Sequence, residues 1–567
     1  MEAGTLKTGR RCGDTEGGYA RGAPFSPPGA ARLWQKWPPV LRRGRNFPQT
    51  SGAFCAAATP DLRHAAAAGA LSARAYRPGG VASRIASNYP KSSGGSSSSS
   101  SSSDKCRGLK ATATCQVLAA SALTSNNKRS LGEEQKRRRV FDRLRRAGGG
   151  SALEKLRAVA GDAQAPGLAL GAADAAALQA EVSVVFHCAA SVSFRQPLAA
   201  ALLLNVRGTR EVALLATRMR RLQAFVHVST AYSNCDHKAP QEIVYPARGN
   251  YMKLIELAEN MDPENLEKLT PELLGNLPNT YVYTKSLAEN VINDFRDLLP
   301  VAILRPSIVC PALKDPFPGW VDTHNGPMGL LIGASSGILR SLRGDGNMHT
   351  DLLPVDFVAN SLIAAAWDTA VNKWCKMPVY NCTTSSDMPV TWNELVKIGQ
   401  DLYTQFPSPK MLWYPSGAIH RNCIVYIICL VLFQFLPAII VDAAFVLSGK
   451  KPWLFKLQKK IYEAGENVKY FILNEWSFPN QNLKDLQHRL NKHDQQQFSF
   501  DATRIDISDY IKLWVLGYRR FILNLDDASI TKAKLKLRRL YIIHLVAKIA
   551  LCLILSWIAV HLCFKLR

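Results

Sequence analysis

Apolar runs of strand length alternate with helix-patterned segments through the middle of the chain. Residues 182–187 (VSVVFH), 222–233 (LQAFVHVSTAYS) and 300–309 (PVAILRPSIV) are rich in β-branched and aromatic side chains, which is typical of buried strands in a parallel sheet. Residues 205–219 and 283–295 repeat apolar positions at helical spacing. This βαβ alternation predicts an α/β fold whose Rossmann-like parallel sheet is covered by helices on both faces.

Small polar residues follow each of these strands. The sequence HCAAS follows the first strand, STAYS follows the second, and a proline in RPSIV closes the third. Ligands of parallel α/β sheets bind at the carboxyl ends of the strands. The three breaks therefore predict a ligand site at this edge of the sheet.

The first part of the chain has a different character. Residues 1–130 mix Gly, Pro, Ala and Arg and include an unbroken serine run, Ser96–Ser103, so they lack the periodic apolar face that offsets the entropy of ordering. We interpret them as a disordered, low-complexity basic segment. An organelle transit peptide is the alternative, because the segment is rich in Arg and poor in acidic residues. Order is predicted from residues 133–146 (EEQKRRRVFDRLRR) onward.

The strong positive charge belongs mainly to this first part. The formal net charge is +26, and the sequence through Gly150 holds 26 Lys and Arg against 8 Asp and Glu, which accounts for +18 of it. The basic excess therefore does not indicate a nucleic-acid groove, and no zinc pattern or aromatic-interleaved basic helix supports nucleic-acid binding. Thirteen scattered cysteines without a CxxC pair indicate reduced thiols in a cytosol-facing protein, and no ligand spacing indicates a metal site.

Two long apolar segments lie in the last third of the chain. Residues 423–441 (CIVYIICLVLFQFLPAIIV) fit either a membrane-embedded or re-entrant hairpin or a buried core helix. Residues 541–564 are long enough to span a bilayer, with Lys548 and two histidines placed to reach the interfaces. The basic run 532–539 (KAKLKLRR) predicts that the preceding side faces the cytosol. We expect a transmembrane tail anchor over 541–564; a helix lying on the membrane is the alternative.

Candidate chemistry lies in NTYVYTKSLAENV (279–291), where Tyr281 and Lys285 stand one helical turn apart and leave from the same face. A lysine ammonium beside a phenol favours the phenolate and lowers the tyrosine pKa, so the pair can exchange a proton near neutral pH. Ser229 and Thr230 end a buried strand about fifty residues earlier and offer a hydroxyl that could hold a substrate carbonyl beside the phenol. The alternative is that Tyr281 only packs and Lys285 is only solvated.

Seven motifs, in this order and spacing, resemble the fatty acyl-CoA reductases of the extended short-chain dehydrogenase/reductase superfamily. The resemblance covers roughly residues 134–567, and the C-terminal LWYP and DYIKLWVLGYRRFIL segments agree with it. It implies a truncated Rossmann-type reductase domain over 131–400, a mostly helical fatty acyl-CoA reductase C-terminal domain over 401–530, and then the membrane anchor. The seven motifs are VVFHCAASVSF, NVRGTREV, FVHVSTAYSNC, YVYTKSLAE, LRPSIV, PFPGWVDTHNGPMG and LLPVDFVANSLIAAAW.

The resemblance implies that NADPH reduces a long-chain fatty acyl-CoA in two hydride transfers to a primary fatty alcohol and free coenzyme A. It makes Tyr281 the proton donor, Lys285 its activator and ribose contact, and Thr230 the carbonyl-polarising hydroxyl, with Ser229 as the alternative. Asn205 would order a proton-relay water, unless it is only a helix cap. The implied cofactor-binding residues, besides Lys285, are Asp162 near adenine, His187, Ala189 and Ala190 near the adenosine and ribose, and Pro306 and Val309 near the nicotinamide.

The chain departs from this family at its start, where a strand, T-G-x-x-G-x-x-G and a helix should bind the pyrophosphate. The glycine clusters at 13–18, 147–151 and 167–173 follow no buried strand, so the parallel sheet is predicted to be N-terminally incomplete, with an unpaired strand edge. Three interpretations are open: an incorrectly assembled or alternatively spliced reductase, an inactive relative, or a substitute segment. We favour the first because the boundary is abrupt and the downstream motifs are intact.

Two other functions share parts of this pattern. A non-catalytic membrane scaffold would keep the same surface, and an epimerase or hydroxysteroid dehydrogenase would share the Tyr and Lys pair. The motif set and the apolar C-terminal part favour the reductase over the latter. The resemblance also implies a location, because tail-anchored members of this family sit in the peroxisomal membrane with the catalytic domain in the cytosol. The endoplasmic reticulum is the alternative.

Overall fold

A five-stranded parallel sheet in the order β1–β2–β3–β4–β9 forms the centre of the protein. The computed structural model describes residues 117–119, 157, 159–324, 326–372 and 376–565. Three two-stranded sheets accompany the central one, pairing β5 with β8, β6 with β11 and β7 with β10. The strands are β1 (Val117–Ala119), β2 (Val184–His187), β3 (Ala224–Val228), β4 (Val301–Pro306), β5 (Ile308–Cys310), β6 (Ser341–Arg343), β7 (His349–Thr350), β8 (Leu352–Pro354), β9 (Val379–Cys382), β10 (Val390–Thr391) and β11 (Ala418–His420).

Helices cover both faces of the central sheet and form most of the C-terminal part. Single π-helical turns join α2 to α3 (Leu202–Arg207) and α10 to α11 (Val431–Phe435), and a third (Tyr518–Ile522) extends α15. The helices are α1 (Ala172–Glu181), α2 (Leu198–Ala201), α3 (Gly208–Ala216), α4 (Tyr251–Asn260), α5 (Pro263–Leu274), α6 (Thr280–Asp294), α7 (Pro327–Ser335), α8 (Val355–Val371), α9 (Trp392–Gln405), α10 (Cys423–Leu430), α11 (Leu436–Leu447), α12 (Leu454–Leu473), α13 (Gln481–Arg489), α14 (Lys492–Gln497), α15 (Ile507–Gly517) and α16 (Ser529–Lys565).

Alternate residues of the strands point to opposite faces of the sheet, as the two-residue strand period requires. Val184, Phe186 and their neighbours pack against α8 and α13. Val185 and Phe225, on the other face, pack against α1, α3 and α6. The predicted α/β fold with a Rossmann-like parallel sheet covered on both faces is therefore confirmed.

The sheet differs from the sequence prediction at its first strand. Val117–Ala119 lies inside the segment predicted to be disordered, and it pairs in parallel with β2, Val117 opposite Val184. The β2 edge that the sequence predicted to be unpaired is therefore paired. Three residues are too short for a periodicity argument, so the pattern held no signal for this strand. The other residues assigned to that segment lie outside the described residues.

The C-terminal part packs directly against the sheet domain. Leu483 and Leu486 of α13 join the core under β2, β3 and β4, and Arg489 donates hydrogen bonds to Asp368 of α8. A second core cluster combines Trp514 of α15 with Leu402 of α9. The two parts therefore share their hydrophobic cores, and a boundary at residue 400 stays a prediction.

Among the residues that the structure describes, two helices are long and apolar enough to cross a membrane, Cys423–Leu447 and Ser529–Ile558. The interpretation of the first helix as a buried core helix is wrong, because only 22% of its most apolar 18-residue stretch is buried. The second packs on the protein through Ala533, Leu537 and His544, and most of the side chains described beyond His544 are exposed. His544, which was expected to reach an interface, is buried and accepts a hydrogen bond from Trp413 Nε1 at 3.2 Å.

Candidate active site

The first turn of α6 positions Tyr281 and Lys285. Asn279 caps the helix, since its side chain accepts a hydrogen bond from the backbone N–H of Val282 at 2.9 Å. Val282 is fully buried in a mixed aliphatic and aromatic core, which fixes the rotation of the helix about its axis. Tyr281 is consequently half-buried, and the Lys285 side chain is directed into the protein with 2% exposure.

Lys285 reaches the carboxyl end of β3. Its Nζ donates a hydrogen bond to the carbonyl oxygen of Val228, the last residue of that strand, at 2.6 Å. Ser229 and Thr230 come directly after Val228, so the lysine of the Y-x-x-x-K motif and the strand-end hydroxyls lie at one edge of the sheet. The alternative that Lys285 is only solvated is wrong, because its side chain is 2% exposed and its amine is hydrogen-bonded to the end of β3.

The two strand-end hydroxyls have different partners. Ser229 Oγ donates to Glu289 Oε1, and that carboxylate also forms a buried ion pair with Arg305, Nη2 to Oε2, at 2.6 Å. Thr230 Oγ1 accepts a hydrogen bond from the Tyr232 N–H at 3.3 Å and keeps its own proton to donate. Ser229 therefore belongs to a structural network, and Thr230 is the hydroxyl better placed to serve a substrate.

Asn205 connects three elements around Lys285. It lies within the π-helical turn between α2 and α3, so the helix-cap alternative is wrong. Its Oδ1 accepts from the Ser191 N–H at 2.7 Å, and its Nδ2 donates to Thr284 Oγ1 at 2.9 Å. The π-helical turn, a feature that often marks functional sites, thus ties the loop after β2 to the residue before Lys285.

Two neutral imidazoles lie beside Lys285. His187 and His227 are paired in the register of β2 and β3, and their ring centroids are 5.2 Å apart. Burial, and then the Lys285 charge, lower the pKa of His187 to about 3. The same two causes, with a smaller effect of His187, lower the pKa of His227 well below its usual value. Both rings are therefore uncharged at neutral pH, and the positive charge at this strand end belongs to Lys285.

The neighbours of His187 determine its tautomer. Thr209 Oγ1 donates its only proton to the carbonyl oxygen of Asn205 at 2.6 Å, so His187 Nε2, 2.9 Å from the same Oγ1, is the donor in that contact. His187 Nδ1 is then an acceptor, and among the described residues it has no partner. This orphaned acceptor fits a donor from a ligand, such as a ribose hydroxyl. A histidine that only fills the strand end would have partners at both ring nitrogens, whereas among the described residues His187 has one only at Nε2.

The remaining cofactor-binding candidates lie around the same edge. Ala189 is buried and Ala190 half-buried in the loop after β2, and Pro306 ends β4. Val309 of β5 is 44% exposed. Asp162 is exposed in a loop where its Oδ1 accepts from the Gln164 N–H at 2.8 Å. Ala163 next to it contacts the start of α3 at Gly208, which precedes the Thr209 partner of His187.

Sequence reasoning missed an aromatic contact that reaches the site from the C-terminal part. Phe194 stacks on Tyr281 with ring centroids 5.8 Å apart, and Phe471 of α12 lies 5.4 Å from Phe194. Arg195 donates to Glu463 Oε2 at 3.0 Å and to Asn467 Oδ1 at 2.8 Å, both on α12. The motif VVFHCAASVSF held the signal for Phe194, but no local pattern pairs it with a residue 277 positions away.

These residues fit part of a nicotinamide dinucleotide. Lys285 and Asn205 suit the nicotinamide end, and the free acceptor of His187 suits a hydroxyl on the adenosine and ribose side. For the pyrophosphate, β1 occupies the place in the sheet after which a glycine-rich loop is expected. The sequence after β1 contains no glycine before Gly132, so that loop is absent from the sequence at this place.

Comparisons with known proteins agree with the motifs. The chain matches two family models described as "Male sterility protein", an NAD-binding model over residues 107–362 and a second model over residues 433–525. Fatty acyl-CoA reductase 1 of Rattus norvegicus is 38% identical over 402 residues, which are 71% of this chain and 78% of that protein. The Homo sapiens protein of the same name is 37% identical over the same shares of both chains.

Two further matches have lower sequence identity. Fatty acyl-CoA reductase wat of Drosophila melanogaster is 36% identical over 386 residues, 68% of this chain and 75% of that protein. Among solved structures, the terminal R domain from the myxalamid PKS-NRPS biosynthetic pathway matches with a TM-score of 0.43 and 16% identity, over 71% of this chain and 83% of that chain. The sequence relatives confirm the resemblance: the chain belongs to the fatty acyl-CoA reductase family of enzymes, within the extended short-chain dehydrogenase/reductase superfamily.

Proposed function

We propose that this protein reduces a long-chain fatty acyl-CoA to a primary fatty alcohol and coenzyme A with NADPH, as a precursor step of wax or ether lipid synthesis. The observation that supports it most is the hydrogen bond from Lys285 to the Val228 carbonyl oxygen, because it brings the Tyr and Lys motif to the strand end that carries Thr230. The relatives are named for reduction of fatty acyl-CoA, and the choice of NADPH and of a long chain comes from the motif resemblance.

Four residues divide the acid–base work. Thr230 donates a hydrogen bond to the thioester oxygen, and Tyr281 gives that oxygen a proton as negative charge develops on it. Lys285 stabilises the phenolate that remains, and Asn205 positions a water that returns the proton. The nicotinamide, when bound, supplies hydride to the carbonyl carbon. Collapse of the resulting hemithioacetal releases coenzyme A as the thiol, and the aldehyde is held and protonated by the same residues when it is reduced.

Cofactor binding is the step on which the sequence departs most from its family. Lys285 and Asn205 support binding of the nicotinamide end, whereas the glycine-rich loop is absent after β1. This departure favours one alternative, a membrane-bound relative that does not bind NADPH and has no catalytic activity. Titrating the purified full chain with NADPH and with NADH, monitored by fluorescence of the reduced nicotinamide, separates the two functions.

The assay for the enzyme uses the full chain in detergent with palmitoyl-CoA or stearoyl-CoA. The proposal predicts that two NADPH are consumed for each free thiol of coenzyme A, with the fatty alcohol as the product. Absence of NADPH binding together with absence of alcohol formation supports the non-catalytic relative. Product formation from a sterol or a nucleotide sugar instead would show an epimerase or hydroxysteroid dehydrogenase.

We further propose that α16 is a tail anchor that holds the catalytic part on the cytosolic side of the peroxisomal membrane. Large apolar side chains of α16 beyond His544, including Val546, Leu553 and Trp557, are exposed, and the basic run 532–539 precedes them. The anchor supports membrane attachment and does not choose the organelle. Imaging of the tagged full chain against peroxisomal and endoplasmic reticulum markers distinguishes the two locations.

A further inference from the structure

The continuous helix α10–α11 exposes an extensive apolar surface. Its exposed side chains include Leu447 at 90% and Ile424 at 68% of their maximal area. Exposed apolar patches of this kind mark interaction surfaces in soluble or peripheral proteins. The exposed large apolar residues of this helix are Ile424, Val425, Ile427, Ile428, Val431, Phe433, Leu436, Ile439, Ile440, Val441, Val446 and Leu447.

A narrow stripe on the opposite side of α10–α11 holds the helix to the protein. The buried positions recur every four residues, and the π-helical turn Val431–Phe435 unwinds the helix enough to keep them on one side. Gln434 in this stripe accepts a hydrogen bond from the Arg340 N–H at 3.3 Å. The buried residues of the stripe are Tyr426, Leu430, Gln434, Ala438 and Asp442.

The start of the next helix argues against a position of α10–α11 across a bilayer. Asp442 Oδ1 accepts hydrogen bonds from the N–H groups of Trp453 and Leu454, both at 3.0 Å, and its Oδ2 accepts from Phe455 at 2.8 Å. The start of α12 is thereby fixed beside α11, after a turn that contains Gly449 at φ 72°. A spanning α10–α11 would carry the first turns of α12 into the hydrocarbon core.

The charges on α12 make that arrangement costly. Lys456, Lys459 and Lys460 are all exposed within its first two turns. A charged residue at the centre of a bilayer is unfavourable even on the scales that give the lowest cost. The same lysines are favourable where they can reach lipid phosphates. A position in the headgroup region suits both the charges of α12 and the apolar face of α10–α11.

The ends of the helix carry the residues that an interfacial position needs. Arg421 precedes α10, and Lys450 and Lys451 come after α11; all three are exposed. Trp453, at 44% exposure, lies in the same turn, and tryptophan prefers the boundary between headgroups and acyl chains. Basic ends around an apolar face match a bilayer that contains anionic lipids.

The surface is also next to the proposed anchor. The N–H of Arg340 donates to Gln434 in the middle of α10–α11, and Nη2 of the same residue lies 3.4 Å from His544 Nδ1 on α16. One arginine therefore bridges the apolar helix and the point after which α16 has exposed apolar side chains. A membrane that receives α16 lies within reach of α10–α11.

We propose that the exposed face of α10–α11 lies in the plane of the membrane, at the boundary between headgroups and acyl chains, on the same side as the catalytic part. The inference rests on the membrane attachment proposed above and is independent of catalysis. The in-plane position also limits how far the candidate active site can lie from the lipid. Helix α12, with 20 residues or about 30 Å, leads from this surface to Phe471 beside the Phe194–Tyr281 stack.

The test uses the full chain in sealed vesicles of phosphatidylcholine and phosphatidylserine. A membrane-impermeant lysine-acylating reagent is added before or after lysis, and modified peptides are read by mass spectrometry. The in-plane position predicts that Lys450 and Lys451 react before lysis, as exposed Lys253 in α4 does, whereas Lys565 reacts only after lysis. Protection of Lys450 and Lys451 until lysis would overturn the proposal in favour of a spanning helix. Early reaction of Lys565 would refute the anchor separately.

A lipid with a photoreactive group near the top of its acyl chain tests the contact itself. The proposal predicts labelling on the exposed side of 423–447 and none on the Gln434 stripe, whether or not α16 spans. The double variant Ile427→Glu/Ile440→Glu should lose this labelling, and the control Leu298→Glu, which changes an exposed leucine of the catalytic part, should keep it. No labelling in the wild type, or crosslinks between two copies through this face, would overturn the proposal.

Discussion

The Lys285 ammonium lies 2.6 Å from the carbonyl oxygen of Val228, the last residue of β3. This contact joins a helical motif to a strand end that is 57 residues away in the sequence. It also explains why burial of the amine is tolerated, since the charge has a backbone acceptor and the two neighbouring imidazoles are neutral. The contact thus sets where Ser229 and Thr230 stand relative to the motif.

Separate substitutions of the two strand-end hydroxyls should affect different properties, catalysis in one case and stability in the other. Thr230→Val removes the hydroxyl that we assign to the substrate carbonyl, so we expect kcat to fall about 100-fold with an unfolding midpoint close to wild type. Ser229→Ala removes one donor to Glu289 and should lower stability by about 1 kcal/mol with kcat nearly unchanged. Steady-state kinetics and thermal unfolding measure both. The reverse pattern would assign the carbonyl contact to Ser229.

The neutral His187 predicts an acid-sensitive fold. Its pKa is about 3 in the folded protein against 6.5 ordinarily, so below pH 6.5 the unfolded chain binds a proton that the folded chain does not. Stability should therefore decrease as the pH falls, with a loss approaching about 1.4 kcal/mol per pH unit between about pH 5.5 and 4 from this residue. His187→Gln keeps a donor for Thr209 and should flatten the pH dependence of the unfolding midpoint. An unchanged slope in this variant contradicts the prediction.

The buried Glu289–Arg305 pair should be a main structural support of the site. Both side chains are at most 2% exposed, and Arg305 also donates to the carbonyl oxygens of Gln241 and Ile243. Glu289→Gln leaves the guanidinium charge uncompensated and should destabilise the fold by about 3–5 kcal/mol. Asp174→Asn breaks the exposed pair with Arg157 and should cost less than about 1 kcal/mol. Denaturant unfolding measures the loss of unfolding free energy in each variant. Equal losses would show that the buried pair contributes no more to stability than the exposed one.

Arg195 should affect catalysis from outside the site. It fastens the loop that carries Phe194 to α12, and Phe194 stacks on Tyr281. Arg195→Ala frees this loop, so we expect kcat to fall several-fold while the dissociation constant of NADPH and the unfolding midpoint stay near wild type. Arg296→Ala, an exposed arginine just beyond the far end of α6, is the control and should leave kcat unchanged. A loss of NADPH affinity in the Arg195 variant would instead place this contact in cofactor binding.

Local patterns in the sequence predicted the elements that form the sheet and the helix of the motif. The apolar run 182–187 contains β2, and the helix predicted from residue 283 begins at Thr280, where Asn279 caps it. Contacts between distant segments had no such signal. The Phe194–Phe471 contact and the Arg340 bridge depend on how the C-terminal part folds back, which no periodicity encodes. Arg305 carried a signal that was not used, because a charge inside an apolar strand requires a buried partner.

The apolar segment 423–441 shows a second limit of sequence patterns. A stretch of this hydrophobicity fits a spanning helix, an interfacial helix or a core helix, since all three need apolar side chains. The distinction depends on which sides have protein neighbours and on where the next helix begins. In this protein the hydrogen bonds from the start of α12 to Asp442 fix that position.

The phenol of Tyr281 is the group on which the proposed chemistry depends most directly, and a pair of tyrosines on one helix tests its role. Tyr281→Phe should reduce alcohol formation from palmitoyl-CoA by at least about 100-fold while NADPH binding is retained. Tyr283→Phe is the matched control: its hydroxyl is buried and has no partner among the described residues, so activity should stay at the wild-type level. Turnover of the Tyr281→Phe variant at the wild-type rate would contradict the assignment of the active site.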